Sequence, residues 1–203
     1  MKTGRFALVL FLSLVLAGCF VASFYPLYTS ADLHPDTLLA GEWFDGDSTL
    51  WKFDYITVQE KDKPSVTDST GYILTFREKG EEQSKSSMEI RVVRLDGNCF
   101  LDFFINEIKD ENYPDFFDLH TMAIHTFAMV TQKGDSLLLT WLGTEWIKEH
   151  ARAHKLKVAF LERDDDILLT APTSDLQKFM VKCATIPEAW EKGTFFLLHR
   201  PSR

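Results

Sequence analysis

Alternation of aromatic and polar residues at period two is the feature that most limits what this chain can fold into. Trp51, Phe53 and Tyr55 alternate with Lys52, Asp54 and Ile56. Tyr72, Leu74 and Phe76 alternate with Ile73, Thr75 and Arg77, and Met88, Ile90 and Val92 with Glu89, Arg91 and Val93. Successive side chains of a strand point to opposite faces, so each run reads as a strand with one buried face. Cys99 to Ile105 is apolar on both faces apart from Asp102, as in a strand covered on both sides. Leu39 to Phe44, His120 to Thr131 and Ser136 to Leu142 complete a series of hairpin-linked strands. Asp45-Gly46-Asp47-Ser48, Asp96-Gly97 and Lys133-Gly134-Asp135 supply the turns. Residues 59–70, with Pro64, and 79–87 read as polar loops.

Helical spacing enters only late. Trp146, Ile147, His150 and Ala151 share one helix face, with Gly143-Thr144 as the cap. Leu176, Phe179, Met180 and Cys183 share another, with Ser174 and Gln177 spaced as a capping box. Leu156 to Leu161, Ile167 to Thr170 and Thr194 to His199 read as further strands, the first two joined by an acidic turn at Glu162 to Asp166. The expectation is a mainly β chain of roughly ten short strands: an antiparallel meander closing into a barrel, with two short helices in the C-terminal third.

The start of the chain is of another kind. Lys2 and Arg5 precede an apolar run from Phe6 to Leu16, then Ala17, Gly18 and Cys19. Charge, apolar core and small residues form the layout of a secretory signal. The run is shorter than the roughly 20 residues that span a bilayer. Leu16-Ala17-Gly18-Cys19 resembles the lipobox of bacterial lipoproteins. That resemblance implies cleavage before Cys19, a diacylglyceryl group on its thiol and a palmitate-type chain on its new amine. Two or more chains anchor stably where one does not. Phe20, rather than Asp, follows the Cys, which resembles outer-membrane sorting, on the periplasmic face, where the host is Gram-negative. The organisation expected is a signal over 1–18, a lipidated Cys and tether over 19–38, and one β-rich domain over 39–203. Phe24 to Tyr28 is expected to pack on that domain.

Composition narrows the partners. The 203-residue chain carries a net charge of −8, and losing Lys2 and Arg5 makes it more negative. Nucleic-acid binding would want a basic patch, and none is visible. An acidic surface also disfavours broad docking on anionic lipid. With Cys19 committed to lipid, Cys99 and Cys183 remain; an exported protein permits a disulfide between them, and two separate thiols are the alternative. Among 17 Phe, 5 Trp and 5 Tyr, Trp43, Trp51, Phe53, Tyr72, Phe76, Phe100, Phe103 and Phe104 either fill the core or line a cavity for an apolar ligand.

Two further resemblances concern the domain. Gly41-Glu42-Trp43 looks like the Gly-x-Trp of lipocalins, in which the Trp closes one end of an eight-stranded barrel; the late helices depart from that plan. Tyr25-Pro26-Leu27-Tyr28, Asp32-Leu33, Leu39-x-Gly41-x-Trp43, Trp51-x-Phe53, Leu101-Asp102, Leu119-His120, His125-Thr126-Phe127, Trp146-Ile147 and Leu169-Thr170-Ala171 together resemble a group of short bacterial lipoproteins of unknown function. That likeness implies a shared fold and export route and no activity.

Candidate chemistry is thin. His120 and His125, near Asp118, fall on opposite faces of one strand. His150 and His154 have the i, i+4 spacing of paired metal ligands, without the Glu that a zincin motif needs. Asp45-Gly46-Asp47 and Asp164-Asp165-Asp166 lack the ligand spacing of an EF-hand. Glu107, Asp110 and Glu111 form an acidic loop. No Gly-x-Ser-x-Gly elbow, P-loop or dinucleotide fingerprint is present. The expectation is a non-catalytic protein without cofactor or metal, held at the membrane by lipid. The role expected first is structural, or to present a domain to envelope proteins, with carrying or sensing a small apolar ligand as the alternative; an enzyme using His120, His125 or the acidic loop ranks behind both.

Overall fold

A computed structural model describes residues 20–46, 49–59, 64–77, 86–105, 122–163 and 166–201. Cys19, His120, Asp118, Glu107, Asp110, Glu111, Asp47, Asp164 and Asp165 lie outside them. The strands are β1 (Ala22–Ser23), β2 (Gly41–Phe44), β3 (Leu50–Val58), β4 (Val66–Arg77), β5 (Ser86–Leu95), β6 (Asn98–Phe104), β7 (His125–Lys133), β8 (Ser136–Trp141), β9 (Phe160–Arg163), β10 (Asp166–Leu169) and β11 (Phe195–His199). The helices are α1 (Thr144–Arg152), α2 (Thr173–Ala184) and α3 (Glu188–Glu191).

β2 through β8 form an antiparallel meander. β11 pairs with both β8 and β2, and β6 pairs with β7, so eight strands close into a barrel-like ring. The expected mainly β meander is what the chain adopts; among the described residues three α-helices, rather than the expected two, lie in the C-terminal part, and a short 3-10 helix spans Ser30–Asp32. Turn chemistry sets the register. Asp96 and Gly97 take φ of 48° and 78°, giving the two-residue hairpin that pairs Leu95 with Asn98. Both positive φ values match the twist of the flanking strands.

The ring's interior is filled by the alternating residues. Leu39, Trp43, Trp51, Phe53, Tyr72, Leu74, Ile90, Leu101, Leu139 and Leu198 belong to one buried cluster. The opposite parity on β5 to β7 (Val93, Phe100 and Phe127) builds a second cluster outside the ring, with Leu27, Ile147, Leu169, Leu176, Phe179, Met180 and Trp190. β6 is therefore covered on both faces, as its double apolar pattern requires. β1 pairs with the end of β7 that β8 does not reach, and β10 and β9 extend from it. Gly193 is fixed by space, since a Cβ there would lie 1.9 Å from the Trp141 carbonyl oxygen.

Several local expectations need correction. Val66 to Thr70 belongs to β4 rather than to a loop, because it pairs with the end of β3 beyond a register shift at Tyr55/Ile56. Glu162 and Arg163 are strand residues of β9 and Asp166 opens β10, so the turn between them is shorter than expected. Ser174 lies inside α2, whose N-cap is Pro172. Gln177 closes no capping box; its amide donates to the Leu27 carbonyl and to Asp32 Oδ2, each at 3.0 Å. Of the 24–28 segment, Leu27 is fully buried while Phe24 and Tyr25 stay exposed.

Cys99 and Cys183 are free thiols rather than a disulfide. Cys99 packs against the cluster inside the ring and Cys183 belongs to the cluster outside it. Burial pushes both thiols up, Cys183 to about 12. A thiol reacts as its thiolate. With Cys19 replaced by Ser, alkylation at neutral pH should therefore leave the folded chain almost unmodified and add two labels in urea. Rapid labelling of Cys183 in the folded protein would contradict this packing.

Candidate functional site

The two ends of the ring differ. One is closed by its own side chains. Trp43 Nε1 donates to the Leu39 carbonyl at 2.7 Å, and the Arg200 guanidinium lies 3.8 Å above the Trp43 ring. Tyr55 and Tyr72 stack at 5.1 Å, and both hydroxyls donate to the Asp36 carbonyl. Asp36 Oδ1 accepts from Leu38 N and Oδ2 from Arg94 Nη2. Residues 36–40 thus cross this end as a plug.

Burial, reinforced by the nearby Asp36 charge, pushes the Tyr72 hydroxyl well above its ordinary value near 10. A raised folded-state value means that the unfolded chain loses its proton first. Tyr72's contribution is complete below pH 10 and falls as pH rises beyond it, by up to about 1.4 kcal/mol per unit. Tyr72→Phe should flatten the stability profile above pH 10, measured by urea unfolding at successive pH values.

At the other end the described residues surround a hollow rather than a plug. A hollow of about 450 Å³ is lined by Phe20, Trp51, Leu74, Phe76, Met88, Phe103, Phe104, Ile105, Ile124, Thr126, Trp141 and Phe196. Among the described residues Thr126 is the one lining residue of polar type, and Trp141 Nε1 donates to its Oγ1 at 3.4 Å. Parity and position build this mouth together. Inward-facing residues at the start of β3, the end of β4, the start of β5, the end of β6, the start of β7, the end of β8 and the start of β11 meet there. Trp51 sits at its edge against Phe76 and Phe196, with centroids 5.1 and 4.9 Å away. Of the eight aromatics singled out from sequence, Trp51, Phe76, Phe103 and Phe104 line the mouth and Phe100 packs outside the ring. Phe53 and Tyr72 fill the interior, and Trp43 seals the far end.

A buried polar pair lies outside the ring, beneath the N-terminal segment. Asp102 is 1% and His125 6% exposed. His125 Nδ1 lies 2.6 Å from Asp102 Oδ1, and Leu27 N–H donates to Asp102 Oδ2 at 2.7 Å. Phe104 stacks on the imidazole at 4.4 Å. Burial raises the Asp102 carboxyl above the usual carboxylate range, against the opposing pull of His125 and the Leu27 amide. Ser23 faces His125 across the β1–β7 register, but its hydroxyl donates to the Tyr25 carbonyl at 2.8 Å. Alongside, Arg91 binds Asp68, Thr70 and Glu89 at 2.7–2.8 Å.

This pair was not foreseen. Sequence marked Asp102 as the one charge in an apolar run and His125 as a candidate beside Asp118, but only the β6–β7 register joins them. His154 lies beyond the helix, with φ 54°, so it shares no face with His150. His150 Nδ1 instead lies 2.8 Å from the Trp146 carbonyl. Among the described residues no cluster of three His, Cys, Asp or Glu could hold a metal ion.

A second cleft, of about 560 Å³, lies beside α1 and α2, where Trp146, Leu156 and Phe179 are rimmed by Lys155, Lys157, Lys178 and Lys182. Its charged rim sets it apart from the mouth. Comparison with protein-family models, with curated proteins and with solved structures finds no match to this chain.

Proposed function

We propose that this chain is a lipid-anchored, non-catalytic envelope protein that binds a small apolar ligand in the mouth of its ring. The observation that carries the reading is the hollow of about 450 Å³ that, among the described residues, is walled by aromatic and aliphatic side chains around one threonine. Small-ligand sites are concave, mostly apolar and fixed by few polar groups, with volumes of roughly 300–1,000 Å³. The filled interior below the mouth limits the ligand to this end, unlike a barrel that is hollow throughout. The closed far end, sealed by Trp43 of Gly41-Glu42-Trp43, accords with the lipocalin likeness. Leu16-Ala17-Gly18-Cys19 supports the anchor, and with it export to the membrane.

A second reading, in which the domain is presented to an envelope protein, draws on the same place. Phe20, Ile105 and Ile124 are each more than a third exposed on the rim, and exposed apolar patches mark contact sites. Thr126→Trp separates the two. Filling the hollow from β7 should weaken binding of a neutral fluorescent probe, N-phenyl-1-naphthylamine, at least tenfold while leaving rim contacts in place. Unchanged probe binding would remove the ligand reading.

A further inference from the structure

The mouth and the anchor position are joined without slack. Phe20 lines the hollow, its ring 5.2 Å from that of Trp141. Val21 is 7% exposed, Ala22 and Ser23 are paired with β7 and β10, and Leu27 is fully buried. A flexible tether of n residues would let a domain wander roughly 5–6 Å × √n. Here the residue after Cys19 is already part of the mouth, and consecutive Cα atoms lie about 3.8 Å apart. Among the described residues of the 19–38 segment, Val21, Ser23 and Leu27 are those buried against the domain, while Phe24 and Tyr25 are exposed.

We infer that the mouth rests on the bilayer and that its hollow takes an acyl chain from a membrane phospholipid. The inference rests on Cys19 as the lipid anchor and on the mouth as the ligand site. An anchor at Cys19 places the glycerol of the attached lipid next to Phe20, so the end of the ring that holds the hollow meets the interface first. Its rim suits that contact: Phe20, Ile105 and Ile124 are 39%, 36% and 40% exposed, and Met122, two residues before Ile124 in sequence, is 61% exposed. Apolar side chains of this kind settle into the headgroup–acyl boundary. The far end is the opposite in character, with Asp36, Arg94, His199 and Arg200 around the plug. The ligand is then an acyl chain, since that is the apolar matter a mouth on a bilayer can reach without water. The chain, at −8 before Lys2 and Arg5 are lost and more negative after, favours zwitterionic over anionic lipid.

The test uses the lipidated full chain in vesicles of phosphatidylethanolamine, a fraction of which carries a diazirine within one acyl chain. After irradiation, adducts mapped by peptide mass spectrometry should concentrate on Ile105, Ile124 and Trp141. Met122→Asp with Ile124→Asp, both at exposed positions, should lower the yield at least fivefold with the protein still in the membrane fraction. Adducts on the α1–α2 cleft or the plugged end, or an unchanged yield in the double variant, would overturn the inference while sparing the anchor. Recovery of Cys19→Ser in the membrane fraction at wild-type levels would overturn the anchor reading and this one with it. Unimpaired probe binding by Thr126→Trp would remove the mouth as a ligand site and this inference with it.

Discussion

Asp102→Ala should cost about 3–5 kcal/mol of folding stability, the range for a buried polar pair broken on one side. The substitution strands two groups at once. Leu27 N–H loses its acceptor at 2.7 Å and His125 Nδ1 loses its neighbour at 2.6 Å, both in a place where water does not replace them. An unsatisfied buried donor alone costs about 1–3 kcal/mol. Asp102→Asn keeps an oxygen for Leu27 and should cost about half as much. Urea unfolding of both variants, with His125→Ala and the double variant, gives a coupling of roughly 1–3 kcal/mol between residues that share one contact. A loss below about 1 kcal/mol for Asp102→Ala would mean that the N-terminal segment is not held by this carboxylate. The same variant should loosen residues 20–28, so protease cleavage there should quicken before the ring itself unfolds.

Trp43→Ala should be nearly as damaging, at about 3–5 kcal/mol, because a large buried aromatic is removed and the cavity cannot collapse against strands held by their ladders. Trp43 is 4% exposed, pairs with Trp51 across β2–β3 and carries Arg200 on its face. β2 joins β11 through the single pair Phe44–His199, so this seam of the ring has little backbone pairing of its own. Arg200 Nη1 also donates to the Ala40 carbonyl at 2.7 Å, bracing the seam from the C-terminal side. Arg200→Ala should therefore cost about 0.5–1 kcal/mol through the lost cation–π contact. Trp43→Phe, which keeps the ring but not the Nε1 bond to Leu39, should fall between the two. Thermal unfolding of the three variants orders them; equal losses for Trp43→Phe and Trp43→Ala would show that the hydrogen bond, and not the packing, holds this end.

How far the sequence could be read follows the physics of each element. Trp51-Phe53-Tyr55 and Tyr72-Leu74-Phe76 announce themselves because a half-buried strand must alternate. The α2 face of Leu176, Phe179, Met180 and Cys183 does so because one side of that helix is buried. Ala22–Ser23 is too short to show any period, and it is a strand only because the end of β7 offers a free edge. Val66 to Thr70 is polar on both sides, so nothing local separates it from a loop; pairing with the end of β3 decides. Gln177 looked like a cap because its spacing from Ser174 fits one, whereas its partners Leu27 and Asp32 come from the far end of the chain.

The functional residues were legible in kind but not in place. Aromatic surplus suggested a core or a pocket lining, and both occur. Which aromatics do which depends on where each strand ends relative to the ring, a quantity set by stagger between neighbours and absent from any single run of residues. Asp102 and His125 meet because β6 and β7 align Phe104 with His125. A shift of one residue would send them to opposite faces.

The most direct test of the central claim is native mass spectrometry of the protein released by mild detergent from its own host's envelope, alongside Thr126→Trp. The account predicts an added mass of a few hundred daltons on the wild-type chain, lost on denaturation and absent from the variant. A bare wild-type mass, or the same adduct on both proteins, would contradict an apolar ligand in the mouth of the ring.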